Sequence, residues 1–160
     1  FAIDVGYNQL ARKLRQDPRV INMEKQNIRN VTSEQLGELV DFISIDVAFI
    51  SLDKVLPVAT TLLKDTGSLV ALIKPQFEAG KENVGKGGIV RDSAIHKEVL
   101  HRILQVAYDC GLYIHGLTFS PIKGMEGNIE FLGYFKKYEE GALTINDELI
   151  DAVVTEAHSL

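Results

Sequence analysis

The sequence has one cysteine, Cys110, among its 160 residues, so no internal disulfide can staple it. Long apolar runs are missing too: no stretch approaches the roughly 18 residues a membrane span requires. The N-terminus has no basic region followed by an apolar segment, the mark of a secretory signal. The cytoplasm is therefore the expected compartment, with no membrane partner. The four histidines lack ligand spacing, His96 and His101 falling on different faces of one expected helix, so no metal site is expected. Positive charge is absent from one end. Residues 139–160 hold six acids and no Lys or Arg, whereas residues 1–138 hold 17 bases against 16 acids, so the net charge of −5 resolves into a near-neutral body and an acidic tail. A neutral body attracts phosphates weakly, so a nucleic-acid substrate would have to be held by local basic loops or by another domain.

At 46% hydrophobic and 24% charged residues, the composition is that of a globular chain with enough length for one core. Two regions are expected: a body over residues 1–138, and an acidic C-terminal helix within 139–160 that packs on it or extends from it. Short apolar runs end in polar residues at Phe1–Val5, Val20–Met23, Phe42–Asp46 and Leu69–Lys74, and read as strands. Helical spacing separates them at Leu10–Arg15, Ser33–Leu39 and Leu52–Lys64, the last interrupted by Pro57. This alternation predicts an α/β fold with a mostly parallel sheet. A longer helix is expected from Ser93, as cap, to Cys110, with Gly111 as its stop. Two strands, Leu112–Phe119 and Asn128–Phe135, and an amphipathic helix over Thr144–His158 complete the pattern. Strand interiors that are apolar at nearly every position suit a sheet covered on both faces.

The polar strand ends carry the functional signal. Open parallel sheets bind ligands beyond the carboxyl ends of their strands, and Asp4, Asp46 and Lys74 each stand at such an end. Glu130 is the other anomaly, because Gly127-Asn128-Ile129-Glu130-Phe131-Leu132-Gly133-Tyr134-Phe135 reads as a strand with a carboxylate inside it. An unpaired buried carboxylate costs several kcal/mol. Either Asn128 and Glu130 face water from an edge strand, or Glu130 faces Lys74.

Two glycine-rich stretches remain, at 80–88 and 124–127. Gly80-Lys81-Glu82-Asn83-Val84-Gly85-Lys86-Gly87 approximates a phosphate-binding P-loop but lacks the Ser or Thr after the lysine, and no helix follows directly. It reads instead as a mobile loop carrying Lys81, Lys86 and Arg91 beside the rim: a plain surface loop, or a clamp for substrate phosphates joined by Lys123.

Together these segments resemble a known family. Ile3-Asp4-Val5-Gly6-Tyr7-Asn8-Gln9-Leu10, Ile45-Asp46-Val47-Ala48-Phe49-Ile50-Ser51-Leu52, Ala71-Leu72-Ile73-Lys74-Pro75-Gln76-Phe77-Glu78 and Gly127-Asn128-Ile129-Glu130-Phe131-Leu132 are similar to the hemolysin A (TlyA) family, which resembles the FtsJ-type RNA methyltransferases. The likeness extends over residues 1 to about 137, and includes Gly85-Lys86-Gly87-Gly88-Ile89-Val90-Arg91-Asp92 and Ser120-Pro121-Ile122. It implies a Rossmann-like S-adenosylmethionine-dependent methyltransferase fold, mostly parallel with an antiparallel C-terminal strand, that methylates ribosomal RNA on a 2'-hydroxyl. Of the family's Lys-Asp-Lys-Glu tetrad, Asp46, Lys74 and Glu130 match three members as catalytic residues. The first lysine, the glycine-rich cofactor loop and the first strand have no counterpart, nor has the S4-like RNA-binding domain that the family carries. The expectation is thus part of a longer protein, with a gap in the sheet where the first strand belongs. Asp4 would take the cofactor's ribose hydroxyls, Asn27 lies near the expected adenine position unless it is a simple turn residue, and Asp46 borders both cofactor and substrate. Ribosomal RNA or ribosomal subunits are the implied partners.

Methyl transfer to a hydroxyl is an in-line displacement dominated by orientation, and a ribose hydroxyl needs an acceptor or a base beside it. Lys74 is the candidate, either as the acceptor of the proton or as a cation steering the hydroxyl's lone pair. Phe49 and Phe77 follow the two rim strands and either pack in the core or stack on a base or the cofactor. Two other readings compete: a non-catalytic RNA- or ribosome-binding protein on the same scaffold, and a membrane-active hemolysin. The acidic polar face of the last helix opposes the latter.

Overall fold

The computed structural model describes residues 1–160. The chain opens with strand β1 (Ala2–Ile3), passes through the single turn α1 (Arg12–Arg15) and enters β2 (Asn22–Met23). β1 and β2 pair in parallel as a separate two-stranded sheet. A 3-10 turn (Ile28–Asn30) and α2 (Ser33–Leu36), capped by Thr32, lead to β3 (Val40–Ile45). Helix α3 (Leu52–Leu62) follows, then β4 (Leu63–Ile73), the short helix α4 (Pro75–Glu78), α5 (Ser93–Asp109), β5 (Tyr113–Phe119), β6 (Phe131–Lys136) and α6 (Asp147–His158).

The main sheet has the order β3-β4-β6-β5. β3 and β4 are parallel and only β6, the last strand, runs against its neighbours, so the mixed sheet has the antiparallel C-terminal strand that the family resemblance implies. Its alternation is one-sided. Leu69, Ala71 and Ile73 of β4 and Phe131 and Phe135 of β6 are fully buried against α3, α5 and α6, while Val70, Leu72 and Tyr134 are only half-buried. Covering on both faces, expected from the apolar strands, is not realised, and Phe42 of β3 is exposed. The last helix joins the core through Ile150, Val153, Val154 and Ala157.

A cleft of about 260 Å³ separates the two sheets, with Phe1 and Ile3 on one side and Val40 to Val47 on the other. This is the expected interruption of the sheet. Other differences are local. Helix α5 is capped by Asp92, whose Oδ1 accepts from the Ala94 N–H at 2.9 Å, one residue before the expected Ser93. Pro57 lies inside α3 without ending it. β6 begins at Phe131, so Glu130 stands at the mouth of the strand, not within it.

Candidate active site

β3 and β4 end side by side, and their exits deliver Asp46 and Lys74. The Lys74 Nζ lies 2.5 Å from Asp46 Oδ1, with the lysine side chain 16% exposed and the aspartate 69%. The apolar stem of Lys74 is thus sheltered while its ion pair faces outward. Across the other edge of β4, the ladder ends with Ile73 opposite Phe131, which makes Lys74 and Glu130 neighbours in register. The Glu130 carboxylate, however, forms no ion pair with Lys74. It accepts from Gln76 Nε2 at 2.8 Å, and the residue is only 6% exposed. Lys74 is drawn toward β3, and the Gln76 amide satisfies Glu130 in its place. The expected convergence of three groups is therefore realised for Lys74 and Asp46, while Glu130 stays outside the ion pair and bonds Gln76 instead.

Glu130 does not face water, because β6 is an inner strand and the edge-strand alternative fails. Its carboxylate lies against Gly124, where a Cβ would overlap it. Asn128 is also buried: its Oδ1 accepts from the Val90 N–H at 3.0 Å, and its Nδ2 donates to the carbonyls of Gly88 and Met125, both at 2.9 Å. These bonds fasten the glycine-rich loop beside the rim. Gly85 and Ile89 pair across it, and the Val90 carbonyl is 3.0 Å from His96 Nε2. The loop expected to be mobile is a pinned turn, because a buried amide satisfies its backbone. Lys81, Lys86, Arg91 and Lys123 are all exposed along it and the neighbouring turn.

Glu78, with no role assigned from the sequence, organises the other side of the site. Its side chain is 2% exposed and accepts from Ser51 Oγ at 2.6 Å, from the Leu52 N–H at 2.9 Å and from Arg102 at 2.7 Å. A carboxylate at the start of α3 offsets the partial positive charge of its unpaired N–H groups. It also ties segment 74–78 to segment 46–52, so the loops carrying Lys74 and Asp46 are anchored to one another. The signal was its place in the Lys74-Pro75-Gln76-Phe77-Glu78 run, directly after the lysine.

Phe49 is not a core residue. It is 82% exposed, has φ of 63°, and its ring lies 4.9 Å from that of Phe77. A left-handed phenylalanine costs about 1–2 kcal/mol relative to ordinary backbone. Each aromatic stands three residues beyond a rim charge, Phe49 after Asp46 and Phe77 after Lys74, so a tilted aromatic pair flanks the ion pair.

Asp4 is exposed at the end of β1; one carboxylate oxygen accepts from the Gly6 N–H at 2.8 Å and the other is open to a ligand hydroxyl. Asn27 caps the following 3-10 turn, its Oδ1 accepting from the Arg29 N–H at 3.0 Å, so its oxygen serves a turn. The cleft between the sheets is not a site for a charged ligand: among its lining residues only Ser44 and Asp46 are polar. No group of His, Cys, Asp and Glu is placed to hold a metal ion, and no helix is long and apolar enough to cross a membrane.

Known proteins resemble this chain in sequence and in fold. Residues 1–137 match the model of the FtsJ-like methyltransferase family. The chain is 50% identical, over 99% of its length, to a Bacillus subtilis protein named as an rRNA methyltransferase, YqxC. It is 40% identical, over 95% of its length, to the 16S/23S rRNA (cytidine-2'-O)-methyltransferase TlyA of Mycobacterium tuberculosis. It spans 57% and 56% of those two relatives. A solved structure titled as a hemolysin from Streptococcus thermophilus superposes with a TM-score of 0.91 at 48% identity, covering 99% of this chain and 57% of that one.

Proposed function

We propose, from the premise that the chain belongs to the FtsJ-like methyltransferase family, that its Lys74–Asp46 rim directs S-adenosylmethionine-dependent methylation of a ribose 2'-hydroxyl in ribosomal RNA. One observation carries this reading: a sheltered lysine held by an exposed aspartate at the carboxyl ends of adjacent parallel strands, flanked by an exposed aromatic ring.

The residues present suit the adenosine half of the cofactor. Asp4 would accept from ribose hydroxyls with its open oxygen, and Asn27, with its oxygen engaged as a cap, would contribute its amide N–H groups near the base. When bound, the cofactor supplies an electrophilic methyl group on a sulfonium. Lys74, with Asp46 fixing the direction of its Nζ, donates to the ribose oxygen and turns a lone pair outward for in-line attack. Transfer would exchange the methyl group's C–S bond for an O–C bond with a neutral thioether leaving, and the hydroxyl proton would pass to water by way of Asp46, which is largely exposed. Glu130 and Gln76, bonded to one another, stand on the β6 side of the rim. Phe49 offers an open face on which a base turned out of its stack can lie. Lys81, Lys86, Arg91 and Lys123 flank the site as contacts for phosphates. Ribosomal RNA or ribosomal subunits are the partners, and the cytoplasm is the compartment in which they are met.

The test is transfer of labelled methyl from S-adenosylmethionine to ribosomal subunits by the natural full-length protein, compared with Lys74→Ala. Transfer is expected to fall by at least 100-fold in the variant, in the range of removing a group that orients and stabilises the reacting oxygen. Alkaline digestion of the product distinguishes ribose from base methylation, because a 2'-O-methyl group blocks strand cleavage at that nucleotide. Equal transfer by both proteins, or label recovered in alkali-cleavable nucleotides, refutes the reading.

A further inference from the structure

The near-neutral balance of residues 1–138 hides a strong segregation. Residues 10–30 hold six Lys or Arg against two acids, while the other 139 residues hold 11 against 20. No base occurs between Arg29 and Lys54. The fold gathers this segment into the β1–β2 unit. Arg12, Lys13, Arg15, Lys25 and Arg29 are all exposed, and only Arg19 of the six cations forms an ion pair, with Asp17 at 2.7 Å.

Two of them are tied to the strand ends, and a third lies beside them. Arg15 donates to Asn8 Oδ1, the Lys25 Nζ lies 4.8 Å from the centre of the neighbouring Tyr7 ring, and Arg12 shares the face of α1 with Arg15. The Lys25 N–H donates to the Gly6 carbonyl at 3.0 Å, so the turns after β1 and β2 cross at the rim that carries Asp4. Both acids of the segment are engaged: Asp17 pairs with Arg19, and Glu24 accepts from the Asn22 amide at 2.8 Å, its carboxyl held below its usual range by that bond, by the Asn8 backbone N–H and by the charges of Arg15 and Lys25. The cleft lies between this unit and the main sheet, with Ile3 on one wall and Asp46 on the other.

From these observations we infer that Arg12, Arg15 and Lys25, with Tyr7 between them, form an RNA-backbone docking surface that holds the substrate strand on the β1–β2 side of the Lys74–Asp46 rim. The inference rests on the RNA-methyltransferase reading and specifies where its substrate lies. Unpaired cations interleaved with an exposed aromatic suit a sugar-phosphate chain, whose charges recur at every nucleotide and whose bases present flat faces.

Salt dependence tests it. Binding of poly(U), a single-stranded probe, to the natural full-length protein is measured against salt for wild type and for Arg12→Gln/Arg15→Gln/Lys25→Gln. Each phosphate contact contributes about 0.7 to the slope of log K against log salt, so the triple variant should lose about 2 units of slope. That corresponds to roughly 100-fold weaker binding at 0.1 M salt, with the two lines meeting near 1 M. Arg12→Gln alone should lose about 0.7, which guards against a triple variant that fails to fold.

A triple variant that keeps the wild-type slope overturns the assignment, as does one surpassed by Lys81→Gln/Lys86→Gln/Arg91→Gln as the cause of slope loss. Polyglutamate competing equally well for wild type, and not for the triple variant, assigns the surface to an acidic protein and overturns it too. Loss of slope in a protein that transfers no methyl group leaves the surface standing and removes the methyltransferase reading. An unchanged slope with intact methyl transfer does the reverse.

Discussion

Replacing Gly124 with alanine would place a methyl group in the space filled by the Glu130 carboxylate. The backbone at Gly124, with φ of −79° and ψ of −163°, is open to any residue, so the penalty is steric and acts through Glu130 alone. To make room, the carboxylate must leave its 2.8 Å bond with Gln76 Nε2, and it has little freedom to find water. Losing a charge-assisted hydrogen bond under these conditions costs about 1.5–3 kcal/mol. Urea denaturation should therefore show Gly124→Ala destabilised by about 2 kcal/mol, with an unchanged denaturant slope. Introduced into a Glu130→Ala background, where the space is empty, the same substitution should cost less than about 0.5 kcal/mol, giving a coupling energy near 2 kcal/mol between two residues six apart in sequence. If Gly124→Ala costs the same in both backgrounds, the clamp on Glu130 is not what Gly124 provides.

Glu78→Ala should be the most damaging single change near the site. It strands Arg102 and the start of α3, and losing one partner of a buried pair costs about 3–5 kcal/mol, to be discounted toward the lower figure because Arg102 is 40% exposed. Chemical denaturation measures it, and a loss below about 1 kcal/mol would show that water replaces the network. Phe49→Gly relieves a left-handed backbone, so stability should change by less than about 1 kcal/mol while methyl transfer at low RNA concentration falls 5- to 150-fold, the equivalent of one lost base stack. Unaltered transfer would return Phe49 to a packing role. His96, fully buried and bonded to Val90 and His158, is held below its ordinary value of 6.5 chiefly by burial, with the His158 charge adding to the effect. Below about pH 6.5 the unfolded chain binds a proton that the folded chain resists, so stability present above that pH is lost as pH falls. Urea titrations at pH 8 and pH 5.5 should show this drop in wild type and a smaller one in His96→Gln; equal drops would move its origin elsewhere.

Much of the site was legible because it obeys strand geometry. Apolar runs ending in Asp46 and Lys74 indicate where parallel strands stop, and sheet topology then brings such ends together. Glu130 was legible as an anomaly, not as a geometry: past the last ladder pair, the direction of a side chain depends on competing donors, and nothing local reveals that Gln76 supplies one. Asn128 resisted for a similar reason, since alternation assigns it to water while its actual environment is a loop 40 residues away. The exposure of Phe49 opposes the general tendency of aromatics to be buried, and a positive φ at phenylalanine leaves no mark in composition. The basic surface was obscured by summation, because a total over 138 residues averages a cationic window against acidic neighbours.

The contact between His96 and His158 makes the chain's final turn a fastening for a distant loop. His158 Nε2 meets His96 Nδ1 at 2.8 Å, His96 meets the Val90 carbonyl, and Val90 hangs from Asn128, two residues from Glu130. A tag or cut that unwinds the last few residues would reach the surroundings of Glu130 as slack passed along this line, though it begins in the acidic tail of the molecule.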